Sequence, residues 1–216
     1  PHAPFFFNGY YHIFYQANLH APIWDSIQWG HLASKDMVHW QDLPLALQSE
    51  KGFYDELGCW SGSGLVDKDG VPRIYYTAGN SNRFPNQAVA LAQPEDTEED
   101  PLLKKWKKYP SLIKEQDIGW LGEFRDPFVW IENDSYFMLV GTGDEHNGGG
   151  NAALYASSDG LHWGSCGMLV DYDYESNQRC GHVWELPVLL PLRDDSGKIV
   201  CHIMIFCACQ IEHDIV

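Results

Sequence analysis

Apolar and aromatic residues along this chain come in short alternating runs, not at helical spacing. Tyr10-Tyr11-His12-Ile13-Phe14-Tyr15, Arg73-Ile74-Tyr75-Tyr76-Thr77, Tyr136-Phe137-Met138-Leu139-Val140 and the stretch Ile199 to Phe206 are rich in β-branched and aromatic side chains. Gly, Asn, Asp or Pro bound each run, which is the pattern of strands closed by turns. Amphipathic patterns long enough for a helix are scarce. The one candidate, Leu102 to Lys108, is short and follows Pro101. The chain therefore predicts an all-β fold.

A repeat sharpens this. Ala33-Ser34-Lys35-Asp36-Met37-Val38-His39-Trp40 returns as Ala156-Ser157-Ser158-Asp159-Gly160-Leu161-His162-Trp163, sharing A-S-x-D-x-x-H-W. A looser copy runs from Ala90-Leu91-Ala92 through an acidic loop to Trp106. Each copy reads as a strand, a Ser/Asp turn and a second strand opened by Trp. The Ser or Asp can bond backbone N–H groups in the turn, and the Trp can pack between sheets. Trp40, Trp106 and Trp163 stand 66 and 57 residues apart. That spacing fits four-stranded units with long loops, the signature of propeller blades. A β-sandwich is the rival, but it does not predict the repeat. Blade one should end near Leu47. Blade two should run from about Gly58 to Pro110, blade three from about Phe124 to Val170, and blade four should open near Val183. The expectation is an incomplete propeller of roughly three and a half blades.

Composition excludes several partners. The 216 residues carry 30 acidic and 14 basic side chains, a formal charge of −16. That balance argues against a nucleic-acid phosphate backbone, which needs clustered Lys and Arg, and against an anionic membrane surface. No apolar run is long enough for a transmembrane helix. Pro1-His2-Ala3-Pro4 has no basic character of a signal peptide, so the compartment stays open. The six Cys form no C-x-x-C pair, and the ten His show no ligand spacing. No catalytic metal and no cofactor are expected. Cys207 and Cys209 sit in a strand-like run and read as buried thiols. Aromatics are abundant, with nine Trp, eleven Tyr and ten Phe. They suit large cores, and they also suit stacking on sugar rings.

Three segments are candidates for chemistry. In Phe124-Arg125-Asp126-Pro127, an adjacent Arg and Asp need partners if buried. Pro127 is expected to hold Asp126 extended and so aim its carboxylate. A structural Arg–Asp pair at a strand end would leave the same trace. In Val183-Trp184-Glu185-Leu186-Pro187, one carboxylate lies among apolar neighbours. Desolvation there would keep it protonated, as a general acid requires, unless Glu185 faces solvent. In Gly58-Cys59-Trp60-Ser61-Gly62-Ser63-Gly64, Trp60 and Ser61 could stack on and bond a ligand, although a Gly-rich strand entering a bulge reads alike. No G-x-S-x-G supports a Ser nucleophile.

Taken together, these segments resemble glycoside hydrolase family 32, the β-fructofuranosidases. Tyr11-His12-Ile13-Phe14-Tyr15-Gln16 resembles the family's Y-H-L-F-Y-Q strand. Trp29-Gly30-His31, Ser34-x-Asp36-x-Val38-His39-Trp40 and Leu43-Pro44 resemble its W-G-H-A-x-S-x-D-L-x-H-W-x-x-L-P stretch. Gly58-Cys59-Trp60-Ser61-Gly62-Ser63, Phe124-Arg125-Asp126-Pro127 and Trp184-Glu185-x-Pro187 match its G-x-[FW]-S-G-S, F-R-D-P and W-E-C-P motifs, in family order. The resemblance implies a five-bladed β-propeller, usually followed by a β-sandwich domain that this sequence lacks, so residues 1–216 would be a partial catalytic propeller. It implies a sucrose or fructan substrate and a retaining double displacement. By that resemblance Glu185 is the acid/base and Asp126 the transition-state stabiliser. Arg125, Gln16, Trp24, Trp60 and Ser61 bind substrate. Two departures stand out. Counting back from Gln16 puts the family's attacking Asp just before Pro1, outside the sequence, so the chain as given is expected to be inactive. The Cys that usually follows the acid/base is Leu186, which removes a thiol neighbour of Glu185.

Overall fold

The computed structural model describes residues 2–146 and 148–210. Among these, fifteen strands form, and the one helical turn is the 3-10 segment Gln178–Cys180. Among the described residues no helix is long and apolar enough to cross a membrane.

The strands make four consecutive antiparallel sheets. The first holds β1 (His2–Phe7), β2 (Tyr10–Ala17), β3 (Gln28–Ser34) and β4 (Trp40–Leu47) in chain order. The second holds β5 (Gly58–Val66), β6 (Pro72–Gly79), β7 (Gln87–Pro94) and β8 (Trp106–Lys108), with the short β9 (Lys114–Glu115) also on β7. The third holds β10 (Arg125–Glu132), β11 (Ser135–Gly143), β12 (Gly150–Ser157) and β13 (Gly164–Met168). The fourth holds β14 (Val183–Arg193) and β15 (Ile199–Cys209). The first strands β1, β5, β10 and β14 contact one another in sequence. These are propeller blades, three of four or more strands and one of two, at the boundaries the repeat predicts. Tight turns keep each meander in register. Asn8-Gly9, both at positive φ (51° and 84°), joins β1 to β2 with the twist that a two-residue hairpin favours.

Strand alternation builds the core as three layers between blades. On β6, Ile74, Tyr76 and Ala78 face Phe14, Trp29 and Leu47 of blade one. Tyr75 between them faces Val129, Tyr136 and Met138 of blade three. Met138 and Val140 of β11 look back to blade two, while Leu139 looks forward to Trp184 of blade four. Blades covered on both faces read as continuous apolar runs. Each fully buried large side chain contributes about 1.5–3 kcal/mol.

The repeat has a physical role. Asp36 Oδ1 accepts from the N–H of Val38 (2.9 Å) and His39 (2.8 Å), and Ser34 Oγ accepts from Met37 N–H (2.9 Å). Asp159 and Ser157 repeat these bonds on Leu161, His162 and Gly160. The bonds hold both Asp carboxyls well below the usual range, with His39 N–H the largest cause for Asp36 and the His162 ring for Asp159. Trp106 then packs against Phe5, Phe14 and His31 of blade one, and Trp163 packs edge-on against Tyr75 of blade two. Trp40 lies on the flank where no described blade follows and is 37% exposed.

In line with the all-β expectation, Leu102 to Lys108 forms no helix: Leu103 N–H closes a turn on Asp100 O (3.0 Å), and Trp106 starts β8 in pairing with Pro94. One expectation fails. Cys207 is exposed and Cys209 half-buried, because β15 is the outer strand of a two-stranded sheet.

Candidate active site

All four inner strands are irregular where they approach the propeller axis. Bulges fall between His2 and Phe5, Cys59 and Gly62, Arg125 and Phe128, and Glu185 and Val188. Three of them place a non-glycine residue at positive φ directly before a proline: Ala3 (45°) before Pro4, Asp126 (62°) before Pro127, and Leu186 (50°) before Pro187. Proline has no N–H to give a ladder, so a bulge there forfeits no donor. The extra residue bends the strand and re-aims its neighbours. Asp126 is therefore not extended, contrary to the usual effect of a following proline. Its N–H donates to Thr77 Oγ1 (2.7 Å), and its Oδ2 accepts from Leu186 N–H (2.9 Å). These two bonds hold a backbone conformation that costs about 1–3 kcal/mol.

The bulges of β5, β10 and β14 open onto a pocket of about 470 Å³ lined by Gln16, Trp24, Trp60, Ser61, Gln87, Glu123, Arg125, Asp126, Glu185 and Leu186. Every site residue singled out in the sequence is on that wall. Gln16 at the end of β2 donates to Ser61 Oγ on β5 (2.9 Å). Trp24, 65% exposed, tilts against Trp60 with ring centres 5.9 Å apart. The glycines around Trp60 serve packing more than ligand approach. A Cβ on Gly79 would lie 2.7 Å from the Trp60 ring, and one on Gly62 would lie 2.0 Å from Tyr75 O.

Arg125 is the hub of the charged wall. Its Nε donates to Glu185 Oε1 (2.8 Å), and its Nη1 donates to Glu123 and to Gln87 Oε1 (3.3 Å). Gln87 also accepts from Phe124 N–H (3.1 Å) and donates to Gly122 O (2.6 Å), which fixes the approach to β10. Sequence reading missed Gln87, Glu123 and Thr77. The packing of β6 and β7 of blade two against β10 of blade three brings Thr77 and Gln87 here, while Glu123 lies two residues before Arg125, and no motif signals them.

The two carboxyls named in the sequence sit in different surroundings. Asp126 is 6% exposed, and burial pushes its pKa up to about 6 against the Leu186 N–H and the Arg125 charge. Glu185 does not have the apolar enclosure its sequence neighbours suggest. Alternation turns Trp184 to the opposite face, stacked on Phe206 at 3.8 Å, and leaves Leu186 40% exposed. The Glu185 side chain keeps 35% of its surface and meets Arg125. A thiol is nevertheless present: Cys209 Sγ donates to Glu185 Oε2 at 3.1 Å from the neighbouring strand. Among the described residues, no group of three His, Cys, Asp or Glu could hold a metal ion. The pocket thus joins aromatic faces, neutral hydrogen-bonding groups, the Arg125 cation and three carboxyls, of which Asp126 is buried and Glu185 partly exposed, a combination suited to binding a sugar and moving a proton on it.

Residues 1–215 match the family model described as Glycosyl hydrolases family 32 N-terminal domain. The fructan 1-exohydrolase w2 of Triticum aestivum is 38% identical over 191 residues, 87% of this chain and 30% of that protein. The sucrose-6-phosphate hydrolase of Zymomonas mobilis is 40% identical over 168 residues, 76% of this chain and 32% of that protein. Among solved structures, a glutamate-to-glutamine variant of fructan 1-exohydrolase IIa from Cichorium intybus, in complex with 1-kestose, aligns with a TM-score of 0.77 at 30% identity. The alignment covers 90% of this chain and 35% of that one. The chain thus spans about a third of the length of these relatives.

Proposed function

The chain belongs to glycoside hydrolase family 32, and on that premise we propose that the whole protein releases terminal β-fructofuranosyl units from sucrose or a fructan with retention of configuration. Residues 1–216 then form part of a five-bladed catalytic propeller. Glu185 protonates the departing glycosidic oxygen and afterwards takes a proton from the incoming water. The attacking carboxylate is the Asp expected immediately before Pro1. Asp126, ionised above about pH 6, accepts hydrogen bonds from fructosyl hydroxyls and offsets the positive charge of an oxocarbenium-like transition state. Gln16, Ser61 and Arg125 hold the first sugar, with Trp24 and Trp60 as its apolar wall.

The observation that carries this reading is convergence. Seven residues from five separate segments, including both carboxyls, line one pocket at the ends of the inner strands. The test is Glu185→Gln in the complete protein. Its kcat on sucrose is expected to fall by roughly 10²–10⁴-fold. The loss should shrink for a fructoside whose leaving group needs no proton. A near-normal rate on sucrose would remove Glu185 from the mechanism.

A further inference from the structure

We propose that Cys209 is a positioning residue for Glu185, holding the carboxyl oxygen that carries the exchangeable proton. The inference rests on the reading of Glu185 as the acid/base. The two oxygens of Glu185 have different partners. Oε1 accepts from Arg125 Nε (2.8 Å), a group that only donates. A proton on Oε1 would face that N–H, so the acid form carries its proton on Oε2. Oε2 faces Cys209 Sγ at 3.1 Å, and a thiol both donates and accepts weakly. When Glu185 is ionised, S–H donates to Oε2. When Glu185 is protonated, Oε2–H can turn to the sulfur, or to the departing oxygen when substrate is present. The contact therefore fits both halves of a reaction in which one carboxyl is first acid and then base, which a fixed cation alone does not.

The strand geometry makes this arrangement specific. Glu185 pairs in register with Cys207, and Val183 with Cys209, so the last residues of β15 lie beside Glu185. The ladder is interrupted by the bulge between Glu185 and Val188. The titratable groups around Glu185 are Arg125 and Asp126 on β10, Glu123 just before it, and Cys207 and Cys209 on β15. Burial and then the hydrogen bond to Glu185 push the Cys209 thiol up to about 11, so it is the S–H form that meets Glu185 at neutral pH.

The experiment is the pH profile of kcat/KM on sucrose for the complete protein and its Cys209→Ala, Cys209→Ser and Cys201→Ala variants. A donor to the ionised carboxyl favours that form. Losing it in Cys209→Ala should move the basic limb of the profile to higher pH, while KM changes little. Serine, a stronger donor, should return the limb to the wild-type position or below it. Cys201→Ala, at the far end of β15, should leave the profile unchanged. Basic limbs that coincide in wild type, Cys209→Ala and Cys209→Ser overturn the inference, whatever happens to the absolute rate. If Glu185→Gln has abolished turnover, that result leaves the acid/base assignment standing. If Glu185→Gln keeps its rate, both fall.

Discussion

Asp126 is asked to do two things that oppose each other. Its carboxyl closes the bulge of the next inner strand through Leu186 N–H, and it is buried enough to be raised to about 6 from the ordinary 3.8. Because the folded value is the higher one, the unfolded chain releases this proton first as pH rises. The stability from the neutral form is complete below about 3.8 and is lost as pH climbs to about 6. At neutral pH the ionised carboxylate is a net cost. Asp126→Asn keeps the shape, can accept from Leu186 and suits positive φ. It is expected to stabilise the protein at pH 7.5 by on the order of 2 kcal/mol in urea melts while abolishing turnover. A destabilised Asn variant would show that the charge supports the fold. At this scale the sequence was informative where chemistry sits in short motifs, as for Arg125, Asp126 and Glu185. It was silent on Gln87 and Thr77, which owe their place to the packing of blade two against blade three, and it read Cys209 only as a buried thiol. It also misled at Asp126, where a bulge overrides the local preference set by Pro127.

Between blades one and two, a buried polar pair replaces what elsewhere is apolar packing. His12 Nδ1 and His31 Nε2 lie 2.9 Å apart, both rings fully buried. Phe5 stacks on His12, Phe14 on His31, and the Trp106 edge closes the cluster. Burial pulls His12 down to about 4 and His31 to about 3, so both are neutral in the folded blade. The unfolded chain binds these protons near the ordinary 6.5. Stability should therefore fall as pH drops from about 6.5 toward 4, against the opposite trend of Asp126 in part of that window. In His31→Gln, urea melts between pH 6.5 and 4.5 should show a shallower loss. An unchanged slope would contradict the neutral pair. Strands, blade limits and Ser/Asp turns were legible because period-two alternation and turn residues are local signals. Of the inner-strand bulges only the one on β5 was anticipated, as an alternative reading of its glycines, although X-Pro at Ala3, Asp126 and Leu186 marks the other three.

The interfaces of blade two with blade one and of blade three with blade two are built on the same plan, and that plan bears on the whole molecule. Trp106 and Trp163 each lean on the preceding blade, and Trp40 offers the same ring on an open flank. If the complete protein closes a five-bladed ring, the last blade covers Trp40. Trp40→Ala in that protein should then cost about 3–5 kcal/mol, as truncation of a buried Trp does. A cost below about 1 kcal/mol, ordinary for a surface site, would contradict closure on that flank. The central claim concerns the pocket at the axis of that ring. The most direct measurement is the sugar released when the complete protein is incubated separately with sucrose, 1-kestose and arabinan. Fructose from sucrose or 1-kestose, lost in Glu185→Gln, is the predicted result. Arabinose release without fructose, or binding of fructan with no product at all, would contradict it.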